Sequence, residues 1–325
     1  MKKYRKLNIL LLVLLIGIIL TSASQAQQDK WQPERPITII IPFSPGGGHD
    51  TLTRNIVAVA EKYFGVPLIP VNIAGGSSSV AIHKVSESSP DGYTILATSD
   101  HTIPMKVLGE NIPANIIDDV ELVCMFNFWS TPLIGLADSK YSSGEELLEY
   151  ARNNPGELLI SVADSRGINN LNTLLFLHAT NTVDAFRMVP YDGGAEEQAA
   201  LHAGDIDCVL ANESWAVPGI RAGYFKAYFN SGQERHDMLD DTPTFIESGY
   251  NIELGLTYGI AVPPGTPEEI KKYFEETFSN IARDEELLAM MAKRGDKPDF
   301  KSGKLYAEHL KSIFEKAEDL KHLFN

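Results

Sequence analysis

The residues best placed to do chemistry are three consecutive glycines, Gly46, Gly47 and Gly48, followed by His49 and Asp50. Lacking a Cβ, glycine lets the main chain turn tightly and brings its N–H groups close to a bound group. An apolar run, Ile37 to Ile41, precedes the glycines, and an amphipathic stretch opened by Asp50 follows them. A helix starting there adds unpaired N–H donors and the positive end of its dipole. Together these seat an anion, most simply a carboxylate. The same pattern also fits a tight strand-to-helix turn that binds nothing.

Other side chains offer further chemistry. Asp100, Asp164 and Asp192 each follow an apolar, strand-like run. Gathered in one cleft they would hold a cation or a ligand ammonium group; apart, they would cap helices. The guanidinium of Arg166 could pair bidentately with a second carboxylate, or lie on a rim, paired with Asp164 or water. His49 and His101 sit in candidate ligand loops and read as solvated loop residues.

Catalytic signatures are missing. No Gly-Lys-Ser/Thr follows the glycines, so they are not a P-loop, and their spacing is not that of a dinucleotide fingerprint. There is no Gly-x-Ser-x-Gly elbow; Ser77, Ser78 and Ser79 read as caps of the helix behind them. The eight histidines are scattered, without metal-ligand spacing, and Cys-x-x-Cys is absent. A hydrolase built on His49 and Asp50 is the enzyme alternative; turnover of a ligand would support it. The reading is a non-enzyme with no cofactor and no metal.

The elements that must position these residues follow an α/β rhythm. Ile37 to Ile41 suits a strand buried on both faces, as in a parallel sheet. Leu52, Ile56, Val59, Ala60 and Tyr63 follow helical spacing until Gly65 and Pro67. Leu68 to Ile73 is a second strand, with a second glycine-rich loop, Ala74 to Ser79, leading into a helix. Pro90-Asp91-Gly92 is a turn before the strand Tyr93 to Thr98, whose loop holds Ser99 and Asp100. Open parallel sheets bind ligands at these strand ends. The chain crosses into a second unit around Phe128 to Ala137. There the rhythm repeats with a helix over Glu145 to Arg152, strands over Leu158 to Val162, Arg187 to Pro190 and Ile206 to Leu210, and helices between. The last part returns with the strand Thr257 to Val262. A helix follows, capped by Thr266 with Pro267 at its first position, then helices over Asp284 to Arg294 and Lys304 to Phe324. In the last, Leu305, Leu310, Ile313, Phe314, Ala317 and Leu320 share one face.

The ends and composition narrow the class. Lys2, Lys3, Arg5 and Lys6 precede an apolar stretch, Ile9 to Leu20, and a Ser-Gln-Ala end. These are the three parts of a secretory signal, with cleavage expected after Ala26. The 325 residues suffice for two domains. A net charge of −15, more negative once the leader is removed, argues against nucleic acid and anionic membranes as partners. Cys124 and Cys208 lie in apolar stretches and are read as buried free thiols.

A set of short motifs runs in order along the chain. They are Arg35-Pro36-Ile37, Pro42-Phe43-x-Pro45-Gly46-Gly47-Gly48-x-Asp50, Pro90-Asp91-Gly92-Tyr93-Thr94, Val189-Pro190-Tyr191 and Ala203-Gly204-Asp205-Ile206-Asp207. Pro218-Gly219-Ile220-Arg221-Ala222-Gly223, Asp241-Thr242-Pro243-Thr244, Glu247-Ser248-Gly249 and Pro264-Gly265-Thr266-Pro267 complete it. This ordered set resembles the periplasmic substrate-binding proteins of tripartite tricarboxylate transporters, the Bug receptors. The resemblance implies a two-domain periplasmic binding protein of the α/β class, a type II-like Venus flytrap with crossing hinge strands. Residues 27–128 and 255–325 would form domain I and 129–254 domain II.

It also implies that a ligand carboxylate is held by Ser44, Gly46, Gly47, Gly48 and Asp50. Ser99 and Asp100, and in domain II Ser165, Arg166, Tyr191, Asp192 and Asn212, would complete the pocket. The implied partners are a small carboxylate (a di- or tricarboxylate, or an amino-acid-type zwitterion) and the membrane permease subunits of the transporter. The implied state is a monomer. Relatives carry a small Gly/Ser-rich loop and a His where this chain has Ala163 to Asn170, Lys-Gly where it has Asp192-Gly193, and an acidic residue where it has Ala211. The specificity loops have therefore changed on a retained scaffold. A ligand sensor presenting its closed form to a signalling partner is the alternative to a transport receptor.

Overall fold

The strand Ile37–Ile41 (β1) is buried along its length except at Thr38, which is half-buried. Its neighbours explain this. In chain order come the helix Gly48–Phe64 (α1), Leu68–Asn72 (β2), Ser79–Ser86 (α2), Thr94–Thr98 (β3), Thr102–Val107 (α3) and Glu121–Ser130 (β4). The chain then builds Leu133–Leu136 (β5), Gly144–Asn153 (α4), Leu158–Ala163 (β6), Ile168–Ala179 (α5), Phe186–Tyr191 (β7), Gly194–Ala203 (α6), Val209–Leu210 (β8), Glu213–Arg221 (α7) and Phe225–Phe229 (β9). It returns through Gly255–Val262 (β10), Glu268–Ile281 (α8), Glu285–Ala292 (α9), Lys301–Ser302 (β11) and Gly303–Asp319 (α10). The computed structural model describes residues 31–163, 167–191, 193–294 and 296–324, and the body carrying these elements runs from Pro33. The secretory signal, Asp164, Ser165, Arg166 and Asp192 lie outside the described residues.

The first sheet has the order β11–β4–β10–β3–β1–β2. β1 pairs in parallel with β2 and β3, as the alternation of elements predicts, but β10 is antiparallel to both β3 and β4. The expected parallel sheet is therefore mixed. The reason is topological: β4 leads the chain out toward the second set of strands, and β10, brought back beside it, must run the opposite way. The second set comprises β8–β5–β9 and the parallel pair β6–β7, linked by a bridge between Ile160 and Cys208. The fold is thus α/β, two-lobed, with β4 and β10 as the strands that cross.

Local chemistry accounts for the elements around the glycines. Leu52, Ile56, Val59 and Ala60 form the buried face of α1, and Gly65, at φ +70°, ends it with its N–H on the Glu61 carbonyl. Each fully buried aliphatic side chain contributes about 1.5–3 kcal/mol. The Arg35 guanidinium lies 3.7 Å above the Tyr93 ring and pairs with Asp91 at 3.2 Å. Two of the recurrent motifs therefore pin the start of β1 to that of β3 and leave the opposite strand ends for other work. Cys124 and Cys208 are buried free thiols.

Several sequence expectations shift. α8 begins at Glu268, because Thr266 Oγ1 donates to the Pro263 carbonyl at 2.7 Å and does not cap the helix. Leu305 is 50% exposed, off the buried face formed by Tyr306, Leu310 and Ala317. No serine side chain caps α2: Ser78, its N-cap residue, lies at φ +77° and turns its hydroxyl onto the Ser77 carbonyl. β9 and α7 carry no clear sequence signal, since Pro218 sits inside α7. Asn212 caps α7, its Oδ1 accepting from Ser214 N–H at 2.9 Å.

Candidate ligand-binding cleft

The glycine loop leaves β1 and enters α1 with Gly47 as N-cap, and no side chain caps the helix. Asp50 is the third helical residue rather than the first, and it is buried. Its Oδ2 accepts from the Gly46 N–H at 2.8 Å, Arg54 Nε reaches both oxygens at 3.0 Å, and Asn72 Nδ2 donates to Oδ1 at 2.8 Å. Asn72 also donates to the Phe43 carbonyl at 2.9 Å and so ties the end of β2 to the loop. Burial alone would raise the Asp50 carboxyl, but the hydrogen bonds from Arg54, Gly46 and Asn72 outweigh it and hold it at about 2. One of the three glycine amides is therefore already used. The first-turn N–H groups of Gly48, His49 and Asp50 have no partner within the helix.

Gly48 and His49 line a cavity of about 710 Å³. Its far side is formed by Asn212, Ser214, Val217, Pro218 and Arg221 of α7 and its cap, and its floor by Trp129 and Leu256, which pair across β4 and β10. Lys293, Arg294 and Asp296 close the remaining side. A Cβ on Gly48 would meet nothing within 4 Å, so this helix N-terminus opens into free space.

Of the described candidates, the structure brings Gly48 and Asn212 into the lining of this cleft. Ser44, Gly46 and Gly47 are exposed on the adjoining loop. Ser99 is fully buried, its hydroxyl 3.4 Å from that of Ser78. Asp100, also fully buried, accepts from the Thr257 N–H at 3.0 Å and clasps the β3 loop to β10; it caps no helix. Burial pushes its carboxyl up to about 7 against that hydrogen bond. Tyr191 packs on the buried core of the second lobe, a cluster that includes Leu201 and Phe225. Among the described residues no group of His, Cys, Asp and Glu could hold a metal ion.

The two histidines are not solvated. His49 is 8% exposed and packs against Phe43, Trp129, His101 and Tyr258, with ring centroids 4.4–5.8 Å away. Burial, reinforced by His101, lowers its pKa to about 3, and burial lowers His101 to about 4. Both are neutral in ordinary buffers, and His49 Nε2 stands 3.4 Å from the Thr257 carbonyl. His49 lines the cleft beside the helix terminus as a neutral ring, and the low dielectric of such a buried setting strengthens hydrogen bonds.

A second cavity, of about 340 Å³, includes Phe128 in its lining. The two cavities adjoin: Asp296 lines both, and Asn127, on the same face of β4 as Trp129, lines the second. Glu213 lines this second cavity and is held by the Ser130 N–H at 3.0 Å and the Ser130 hydroxyl; burial raises its carboxyl to about 7. The charged cleft residues that sequence reasoning passed over are Arg221, Lys293, Arg294 and Asp296. Arg221 stood inside a quoted motif, but nothing local marked it as facing Gly48.

Known proteins resemble this chain in sequence and in fold. Protein BugT of Bordetella pertussis is 26% identical over 307 residues, covering 90% of each chain. The solved structure of a TctC solute binding protein from Polaromonas superposes with a TM-score of 0.79 at 22% identity, over 89% of this chain and 98% of that one. An R. palustris protein solved with adipate gives a TM-score of 0.72 at 24% identity, over 90% and 98%. Residues 52–319 match the tripartite tricarboxylate transporter family receptor. The chain belongs to that family of periplasmic solute-binding receptors.

Proposed function

We propose that this protein captures a small organic carboxylate in the periplasm and delivers it to the membrane subunits of a tripartite tricarboxylate transporter. The observation that carries this reading is the uncapped N-terminus of α1, whose Gly48 opens into the cleft between the two lobes. The ligand carboxylate accepts from the Gly48 and His49 N–H groups, at the positive end of the helix dipole. Asp50 holds the loop in shape through Gly46, Arg54 and Asn72 and does not touch the ligand. The adipate bound in the R. palustris relative supports a carboxylate as the occupant.

Domain I is taken as 27–128 with 255–325, and domain II as 129–254, so the crossing strands serve as the hinge. Closure selects the closed members of an open–closed equilibrium. Export by a signal cleaved after Ala26 and a monomeric receptor complete the proposal. The test is a thermal-shift screen of mono-, di- and tricarboxylates, amino acids and neutral analogues, followed by calorimetry. A ligand specific for the native state raises the unfolding temperature, by about 2.7 kcal/mol of stabilisation at a hundredfold excess over Kd. Carboxylates should shift the transition and their amides should not; stabilisation by the neutral analogues alone would defeat the reading.

A further inference from the structure

The whole chain carries 43 acidic and 28 basic residues, yet the cleft reverses that balance. Its charged lining is Arg221, Lys293 and Arg294 against the single carboxylate of Asp296. Arg221 reaches only Met238 Sδ, at 3.9 Å, and among the described residues neither Arg221 nor Lys293 has a carboxylate partner. Arg294 stands 3.8 Å from Asp296, too far for a hydrogen bond.

These cations come from elements packed on two different sheets. Lys62 and Tyr63, in the last turn of α1, bond to Asp284 and Glu286 at the start of α9. The two helices therefore run antiparallel, and Lys293 and Arg294, just past the end of α9, come back to the cleft beside Gly48. They are fixed to the wall that holds the helix terminus. Arg221 ends α7, which packs on β9 of the other sheet.

We infer that Arg221, Lys293 and Arg294 form a distal anion subsite assembled from both walls, so that the ligand's second negative charge draws the cleft shut. This rests on the reading that the first carboxylate sits at Gly48. A monoanion there engages one wall only. A second carboxylate lies between like charges on opposing walls, which repel when the cleft is empty, and it bridges them with charge-assisted hydrogen bonds. The same cations oppose the ammonium of a zwitterion.

Adipate, hexanoate and 6-aminohexanoate share six carbons and differ in the far end, so they test the subsite directly. Calorimetry on the full mature chain should give adipate an affinity about tenfold or more above hexanoate, with 6-aminohexanoate weakest. Small-angle scattering should show compaction with adipate and not with hexanoate. Arg221→Gln should bring adipate down to the affinity that hexanoate shows in the same variant and abolish compaction; Lys293→Gln should do so in part. An unchanged adipate-to-hexanoate ratio in both variants, with or without a loss of thermal stability, would leave the cations as solvated charges at the ends of α7 and α9 and overturn the inference. Equal binding of the two acids by the wild type, or no binding of adipate, malate and citrate, would overturn it as well. Loss of hexanoate binding in Gly48→Ala addresses the first subsite separately, so the two readings fail independently.

Discussion

Two glycine-rich loops follow parallel strands of the same sheet, and they use their glycines for opposite purposes. At Gly48 an added Cβ would enter open cleft, whereas at Gly76 it would lie 2.4 Å from Ser79 Oγ. The second loop is wound through positive φ at Gly75, Gly76, Ser77 and Ser78, a region that side chains with a Cβ rarely adopt. Ser78 and Ser79 are buried beneath it. The first loop has one positive-φ position, Gly46 at +92°, and is held from outside by Asp50. Glycine thus borders an open cleft in one loop and relieves intramolecular crowding in the other. What tells them apart is the space beside the residue.

The comparison can be broken at its anchor first. Asp50→Ala should cost about 2–3 kcal/mol of stability, since it strands the Gly46 N–H and Asn72, and should weaken carboxylate binding with it. Because the folded carboxyl is held at about 2, below its ordinary 3.8, its contribution is present above pH 4 and disappears as the pH falls toward 2. Urea unfolding at pH 7 and at pH 2.5 should therefore show a large gap between wild type and variant at pH 7 and a much smaller one at pH 2.5.

Gly48→Ala sharpens the contrast. At the first position of α1, alanine is favoured by up to about 1 kcal/mol, so the unfolding temperature should hold or rise. Carboxylate affinity should fall about tenfold or more, because the methyl group occupies the approach to the amides. Unaltered calorimetric affinity in this variant would detach the helix terminus from binding. The smallest expected effect reverses these signs. Gly76→Ala should lose about 1–2 kcal/mol through strain at φ +53° and contact with Ser79, while calorimetry detects no change in the affinity of the folded protein.

The pH behaviour of the buried groups near the cleft is also a matter of surroundings. Asp100 and Glu213, raised to about 7, favour the folded state below their unfolded pKa values and lose that contribution as the pH rises through 7. His49 and His101, lowered to about 3 and 4, contribute above pH 6.5 and lose it on acidification. The two trends oppose each other between about pH 4.5 and 7, so thermal stability should vary little there. None of this is written in residue type alone, since each shift is caused first by burial.

Much of the scaffold was legible along the chain. The Ile37–Ile41 run, the glycines and the helical spacing after Asp50 identify a strand, a turn and a helix because backbone preferences and burial patterns act over a few residues. The ordered motifs identified the family for the same reason. Tertiary structure alone decided what those elements face. Gly48, Trp129, Arg221 and Lys293 meet because β4 and β10 cross side by side and α9 folds back along α1. Asp50 and Asp100 turn inward because donors from Arg54, Asn72 and Thr257 wait there. Local sequence sets the conformations available to each segment; the charge and space around a side chain come from segments scores of residues away.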